Sequence, residues 1–310
     1  MQIALLAYDA LPAELRQRLV RLLEAHPRFP EDFLPHVPPD LRSVAERDRW
    51  IFAHAATWPD LARGQPAYEH GTWHYVNLPL YLRGGRLVSC AEARAAFPES
   101  VRRIAELEAA QPAPRTRGAQ DSIREALPKA LGVLGDVEAR PAERALALSW
   151  VLHLVGDAHQ PLHGVALFTD KRFVTGDRGG NDIIITQRGS LHRLWDGLLG
   201  EDTSLGAVSR GAARLRATSH PTKLARQAQD LDLDHWLDEG CEIARSAVYV
   251  PAVLNAVQKF ERHERAGKPE VALRQAYVEA AAETARRRAL QAGARLARAL
   301  ELTLAPRGSD

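Results

Sequence analysis

The sequence predicts a mainly α-helical protein with a short β-hairpin, and three observations carry that expectation. Apolar residues recur at helical spacing over several segments. A closing stretch from Glu270 to Leu302 is rich in alanine and arginine, both good helix formers. Ile183, Ile184 and Ile185 make one short β-branched run bounded by turn residues.

The elements are taken in chain order. Leu11 to Ala25 keeps a helical period, with Pro12 near its start, where a missing N–H costs nothing. Val101 to Ala109, Ser122 to Leu134 and Ala142 to Val155 keep the same period. Residues 111–118 hold two prolines and a glycine and read as a connector. Pro161 should end the helix before it, because its ring cannot sit in a helix interior. Thr169 to Gly180 reads as a long polar loop. Asp182 to Gln187 then reads as a short strand entering a hairpin through Arg188, Gly189 and Ser190. Glu270 to Leu302 is one long helix or two packed ones. The run Arg286, Arg287, Arg288 reads as a solvated helix face, as does Arg210 to Arg226.

Composition bounds the class. With 310 residues, 45% of them hydrophobic, the chain can bury a full core as one domain over 1–310, with 303–310 as a disordered tail. No apolar run approaches the roughly 18 residues a bilayer crossing needs. A net charge of +2 does not by itself advertise a polyanionic partner. Cys90 and Cys241 are open to three readings: a pair, two free thiols, or two buried ones.

The chemistry concentrates in a few places. His153 and Asp157 are four apart in a helix-forming stretch, so they project from one face, one turn apart. His163 comes just after Pro161, where the turning chain can offer its imidazole to a second metal ion. His192 and Asp196 repeat the four-residue spacing beside Trp195. Upstream, Asp60 stands after Trp58 and Pro59, and His74 after Trp73. Taken singly, Asp60 serves equally as a helix cap and His74 as a hydrogen-bonded core histidine. Taken together, histidines and carboxylates embedded in apolar runs call for a metal, because unpaired buried charge is costly. Trp58, Trp73, Trp150 and Trp195 all fall within three residues of these positions and would wall them in.

These residues resemble the zinc-dependent S1/P1 nucleases, which share a fold with bacterial zinc phospholipase C. The resemblance runs over nearly the whole chain. It rests on Trp58-Pro59-Asp60, Trp73-His74-Tyr75, the His153 to His163 run, Gly179-Gly180-Asn181-Asp182-Ile183, His192 to Asp196, and Ala292 to Ala297. It implies a phospholipase C/P1 nuclease-like helical fold with the hairpin near the metal site. It further implies that Asp60, His74, His153 and Asp157 bind one zinc, and His163, His192 and Asp196 a second. His159 would support the ligands from behind.

The implied activity is hydrolysis of single-stranded DNA, RNA or 3′-nucleotides to 5′-phosphorylated products by a metal-activated hydroxide. Asp60, Asp157 and Arg63 would serve the catalytic step, Arg63 by supporting charge on the scissile phosphate. Tyr75 would stack a base, and Asn77, where many members carry aspartate, would meet the base edge. The substrate is then single-stranded nucleic acid or nucleotides, with no protein partner implied and a secreted or periplasmic location. Family members begin, after signal cleavage, with Trp-Gly-x-x-Gly-His, which completes a third zinc. Since Ile3 to Tyr8 resembles the family segment just after that motif, the natural start is expected upstream of Met1. Two other readings remain: a zinc-dependent phospholipase C, and a zinc- and nucleotide-binding protein impaired in catalysis.

Overall fold

The computed structural model describes residues 1–88, 121–262 and 267–305. The helix expected at Val101 to Ala109, the connector at 111–118, Cys90 and residues 306–310 lie outside the described residues.

Helices dominate, as the periodicity predicts. The first four are α1 (Gln2–Ala10), α2 (Ala13–Leu23), α3 (Val44–Ala55) and the single turn α4 (Trp58–Leu61). A 3-10 turn, Gly71–His74, leads into β1 (Leu78–Arg83) and β2 (Arg86–Val88). Next come α5 (Ile123–Gly135), α6 (Pro141–Asp157), the short α7 (Pro161–Gly164) and β3 (Val165–Phe168). The hairpin is β4 (Ile184–Ile185) and β5 (Gly189–Ser190), running straight into α8 (Leu191–Asp196). After it stand α9 (Leu205–Ala217), α10 (Pro221–Gln227), α11 (Leu233–Ile243), α12 (Pro251–Arg262), β6 (Glu270–Val271) and α13 (Gln275–Thr303).

Local chemistry explains the boundaries. Pro12 is the cap of α2. Ser43 and Ser122 open α3 and α5 with reciprocal capping boxes to Glu46 and Glu125, satisfying donors that a helix start leaves bare. The central helix is α6, buried around most of its circumference through Leu148, Trp150, Val151, Leu152, Leu154 and Val155. It packs against α2, α3, α4, α5 and α13. Helix α13 also lies against α1, and their contact is close: a Cβ at Gly293 would sit 2.6 Å from Leu6 Cβ.

Several expectations need correction. Pro161 does not close the helix before it; α6 already ends at Asp157, and Pro161 opens α7 as its first residue, where its lost donor is unneeded. The strand read over Asp182 to Gln187 is only two residues long, and the 270 end of the closing stretch is strand β6 rather than helix. There are also two small sheets, in orders β2-β1-β3 and β5-β4-β6, each with one parallel pair. Parallel partners are distant in sequence and leave no local turn signal. Finally, the arginine run is not uniformly solvated: Arg286 and Arg287 are exposed, but Arg288 is buried. The arginines of α9 and α10 (Arg210, Arg214, Arg216, Arg226) are exposed as expected.

The tail also differs at its start, since Thr303 ends α13 and Leu304 is buried. Cys241 is buried in α11 and disulfide-bonded. No helix among the described residues is long and apolar enough to cross a membrane.

The long polar loop is braced by one buried carboxylate. Asp177 is fully buried; it accepts a hydrogen bond from the Leu167 N–H (2.9 Å) and another from the Tyr249 hydroxyl (2.8 Å). Burial pushes its pKa from 3.8 up to about 6. A raised carboxyl pKa favours the fold below the unfolded value, and that contribution is lost as pH rises through the folded value. Stability should therefore fall by about 3 kcal/mol between pH 4 and pH 7 from this group. In Asp177→Asn that part of the slope should vanish, as read from urea midpoints across the same range.

Candidate metal centre

Each proposed ligand is held by a different local device. Asp60 stands on α4, whose first residue, Trp58, is fully buried and donates its indole N–H to Asp32 (2.9 Å). The edge of the His26 ring meets Trp58 at 4.2 Å. His74 ends the 3-10 turn and packs on Trp150 at 5.4 Å, while Trp73 is covered by His70, stacked at 3.9 Å. His153 and Asp157 lie one turn apart on α6, and His192 and Asp196 one turn apart on α8. His163 lies on α7, immediately past the chain reversal.

The tertiary fold brings all seven side chains to the wall of one open cavity of about 1120 Å³, together with Arg63, Tyr75 and Asn77. Two groups form within it: Asp60, His74 and His153, and His163, His192 and Asp196, each with donor atoms within 4.8 Å of one another. Asp157 stands between them. Its Oδ2 is 3.0 Å from His74 Nδ1 and 3.1 Å from His153 Nε2, and its Oδ1 is 3.6 Å from His163 Nδ1. In the second group, Asp196 lies 3.6 Å from His163 Nε2 and 3.4 Å from His192 Nε2.

The ring orientations decide what this arrangement can hold. The Nδ1–H of His153 donates to the Ala56 carbonyl, that of His163 to the His74 carbonyl and that of His192 to the Gly179 carbonyl, each at 2.8 Å. Three backbone acceptors therefore fix three tautomers and leave three Nε2 lone pairs for the cavity. His74 Nδ1 and His153 Nε2 approach to 2.9 Å beside a carboxylate. Nitrogen and oxygen donors so disposed suit a zinc ion, which takes imidazole and carboxylate ligands at about 2.0–2.2 Å in tetrahedral sets.

The protonation pattern in the metal-free chain shows the same convergence. Burial opposes a charged His163, yet Asp157 and Asp196 raise its pKa from 6.5 to about 9. Burial likewise opposes charge on His153, but Asp157 and Asp60 raise it. Asp157 would be raised by burial, and the surrounding imidazoles hold it well below the usual carboxylate range. Burial lowers His192, with the charge of His163 adding to the effect.

Known proteins share this chain's pattern. The S1/P1 nuclease family model matches residues 1–305. This chain belongs to the S1/P1 nuclease family. Nuclease S1 of Aspergillus oryzae is 31% identical over 100 residues, a stretch covering 31% of this chain and 31% of that protein. The family's mainly helical fold is the one observed.

Several contributors had no distinct sequence signal. Gln160 donates to Asp196 Oδ1 (2.9 Å) and its side-chain oxygen caps α7 by accepting from the Leu162 N–H; only its place inside the His153 to His163 run pointed to it. The carbonyls of Ala56, His74 and Gly179 carry no side-chain signature at all. His159 differs from its expected support of the ligands. It lines the same cavity, but its ring nitrogens are bonded elsewhere, donating Nδ1–H to Val155 O (2.7 Å) and presenting Nε2 to Arg295 (3.1 Å). Burial and the neighbouring Arg288 hold its pKa well below 6.5, so it is neutral.

Gly179 is where the loop has no room for a side chain. Its φ is +58°, and a Cβ there would lie 2.4 Å from the Leu162 carbonyl oxygen. Gly179→Ala should cost about 2 kcal/mol through strain and overpacking. It should also swing the Gly179 carbonyl off His192 and weaken any metal binding at that group by about tenfold or more, as a lost outer hydrogen bond does. Urea denaturation and competitive zinc titration read the two effects separately.

Proposed function

We propose that this chain is a zinc-dependent phosphodiesterase that hydrolyses single-stranded DNA or RNA, and 3′-nucleotides, to 5′-phosphorylated products. The observation that carries the proposal is the set of three carbonyl-oriented imidazoles converging with three carboxylates on one cavity, in a chain of this family.

Asp60, His74, His153 and Asp157 would hold one zinc ion, and His163, His192 and Asp196 another. Bound zinc supplies Lewis-acid polarisation of a phosphoryl group and lowers the pKa of water toward neutrality. The chain's own residues do the rest. Asp157 turns one oxygen to His74 and His153 of its own group and the other toward His163 Nδ1, so it holds the two groups in register. Arg63 lies 2.7 Å from Asp60 with its side chain 60% exposed, within reach of a substrate phosphate at the cavity mouth. Its guanidinium can pair two phosphoryl oxygens and offset charge that builds there. Tyr75, 37% exposed on the cavity wall beside His74, offers an aromatic face to a base, and Asn77 offers an amide to the base edge. The buried tryptophans Trp58, Trp150 and Trp195 keep the ligands stiff and partly dry.

The test is release of 5′-phosphorylated nucleotides from single-stranded DNA with added zinc and with EDTA. Release that EDTA abolishes supports the proposal. No release despite bound zinc, or release of a phosphorylated headgroup from a choline lipid instead, overturns it.

A further inference from the structure

Resting on the nuclease reading above, we infer that Arg178 and Arg193 form a clamp for a phosphodiester that flanks the one being cleaved, so that this face of the cavity grips a strand rather than a single nucleotide.

The argument starts from backbone conformation. Among the described residues, Arg178 is the only non-glycine with a positive φ, +56°. Left-handed backbone disfavours side chains other than those of Gly, Asn and Asp, so an arginine held there costs on the order of 1 kcal/mol. The loop cannot relax this strain by moving. Its preceding residue, Asp177, is buried and hydrogen-bonded to Leu167 and Tyr249. The next residue, Gly179, abuts the Leu162 carbonyl, and the Arg178 carbonyl itself accepts from the Asn181 amide (2.9 Å). A stiff loop therefore displays a strained arginine whose side chain is 74% exposed and lines the metal cavity.

The charge on this arginine is not consumed within the fold. The nearest carboxylate, Asp182, is 3.9 Å away and is already paired with Lys268 at 2.7 Å. Arg193 complements it. It stands next to His192 on α8, is exposed, lines the same cavity, and pairs with no carboxylate among the described residues. The backbone positions that carry the two arginines are tied together by the site, because Gly179, next to Arg178, accepts from the ring of His192, next to Arg193 (2.8 Å), and both side chains line the one cavity. By contrast, Arg63 on the opposite group is engaged by Asp60 at 2.7 Å. Two uncommitted guanidiniums beside the His163, His192 and Asp196 group fit a single internucleotide phosphate, which arginine pairs through parallel N–H donors. An extended single strand passing over the cavity would bring one there.

Binding can be read without catalysis. Anisotropy of fluorescein-labelled dodecathymidylate would be tracked against salt from about 50 to 200 mM in EDTA, where each phosphate contact to a single strand contributes a slope of about −0.7. The double variant Arg178→Gln/Arg193→Gln should bind about tenfold more weakly at the lowest salt, with a slope shallower by about 0.7, one phosphate's worth. Arg178→Lys/Arg193→Lys keeps the charge and should retain most of the slope. An unchanged slope in the Gln variant, no binding by the parent chain, or an equal loss for thymidine 5′-monophosphate would overturn the clamp. Parent binding with the predicted slope change but no cleavage of the same strand in zinc would instead overturn the nuclease reading and with it the flanking role, leaving the two arginines as a strand-phosphate contact only.

Discussion

Asp157→Ala should abolish zinc retention at both groups and lower single-stranded DNA cleavage at least about a thousandfold, more than removal of one transition-state donor commonly costs. Geometry sets the size. Asp157 is 3.0 and 3.1 Å from His74 and His153 of the first group, and its second oxygen lies 3.6 Å from the back nitrogen, Nδ1, of His163, the imidazole that leads the second group. Without it, four imidazoles face one another with no central negative charge. Zinc content by elemental analysis and release of 5′-nucleotides check the two halves independently; full zinc content in the variant would refute the shared role.

The same residues give the metal-free chain a pH signature. His163 is raised from 6.5 to about 9, so its contribution to stability is present below pH 6.5 and lost as pH climbs through 9. Asp157 is depressed, so its contribution is present above the ordinary carboxylate range and lost on acidification. Zinc binds the neutral imidazole and competes with that proton. The denaturation midpoint of zinc-loaded protein should therefore pull away from that of EDTA-treated protein between pH 6.5 and pH 9.

The second large effect lies behind the site. Arg295 is 1% exposed on α13 and is held by Glu239 at 2.7 and 3.0 Å, Asp230 at 2.8 Å and His159 Nε2 at 3.1 Å, with Trp236 5.2 Å from the guanidinium. Arg288, buried two turns earlier, donates to the His159 carbonyl (3.1 Å) and pairs with Glu239. Through His159 this knot holds the segment between Asp157 and His163. Arg295→Ala should cost about 3 kcal/mol, the lower end for a broken buried pair, because Glu239 is 37% exposed and can be partly hydrated. Arg295→Lys should recover less than half, since one ammonium cannot reproduce a planar fork of donors. Urea midpoints with unchanged transition slopes would measure both; a loss under about 1 kcal/mol would show the knot to be dispensable.

The arginines of α13 also show where sequence reading stops. Arg286, Arg287 and Arg288 are consecutive, and nothing in composition separates them, yet only the third is buried. Helical phase puts it four residues after Thr284 and seven before Arg295, on the stripe that faces α6 and α11, but a stripe containing arginines looks solvated until its partners are known. The parallel pairs of β1 with β3 and β4 with β6 were invisible for a related reason: their partners lie some 85 residues apart (165 − 78 = 87; 270 − 184 = 86).

What the sequence by itself determined was local. The four-residue spacings of His153 with Asp157 and of His192 with Asp196 fix each pair on one helix face, because helix geometry depends only on i and i+4. Pro12 likewise marks the start of α2, where its missing donor is unneeded. Tertiary structure decided the rest. It carried Asp60 and His74 against α6, and it supplied the Ala56, His74 and Gly179 carbonyls that select each imidazole's tautomer. It also turned His159 toward buried arginines rather than toward the ligands. The physical reason is that backbone carbonyls are identical in every residue, and burial belongs to packing rather than to any residue alone, so neither can be read from a linear pattern.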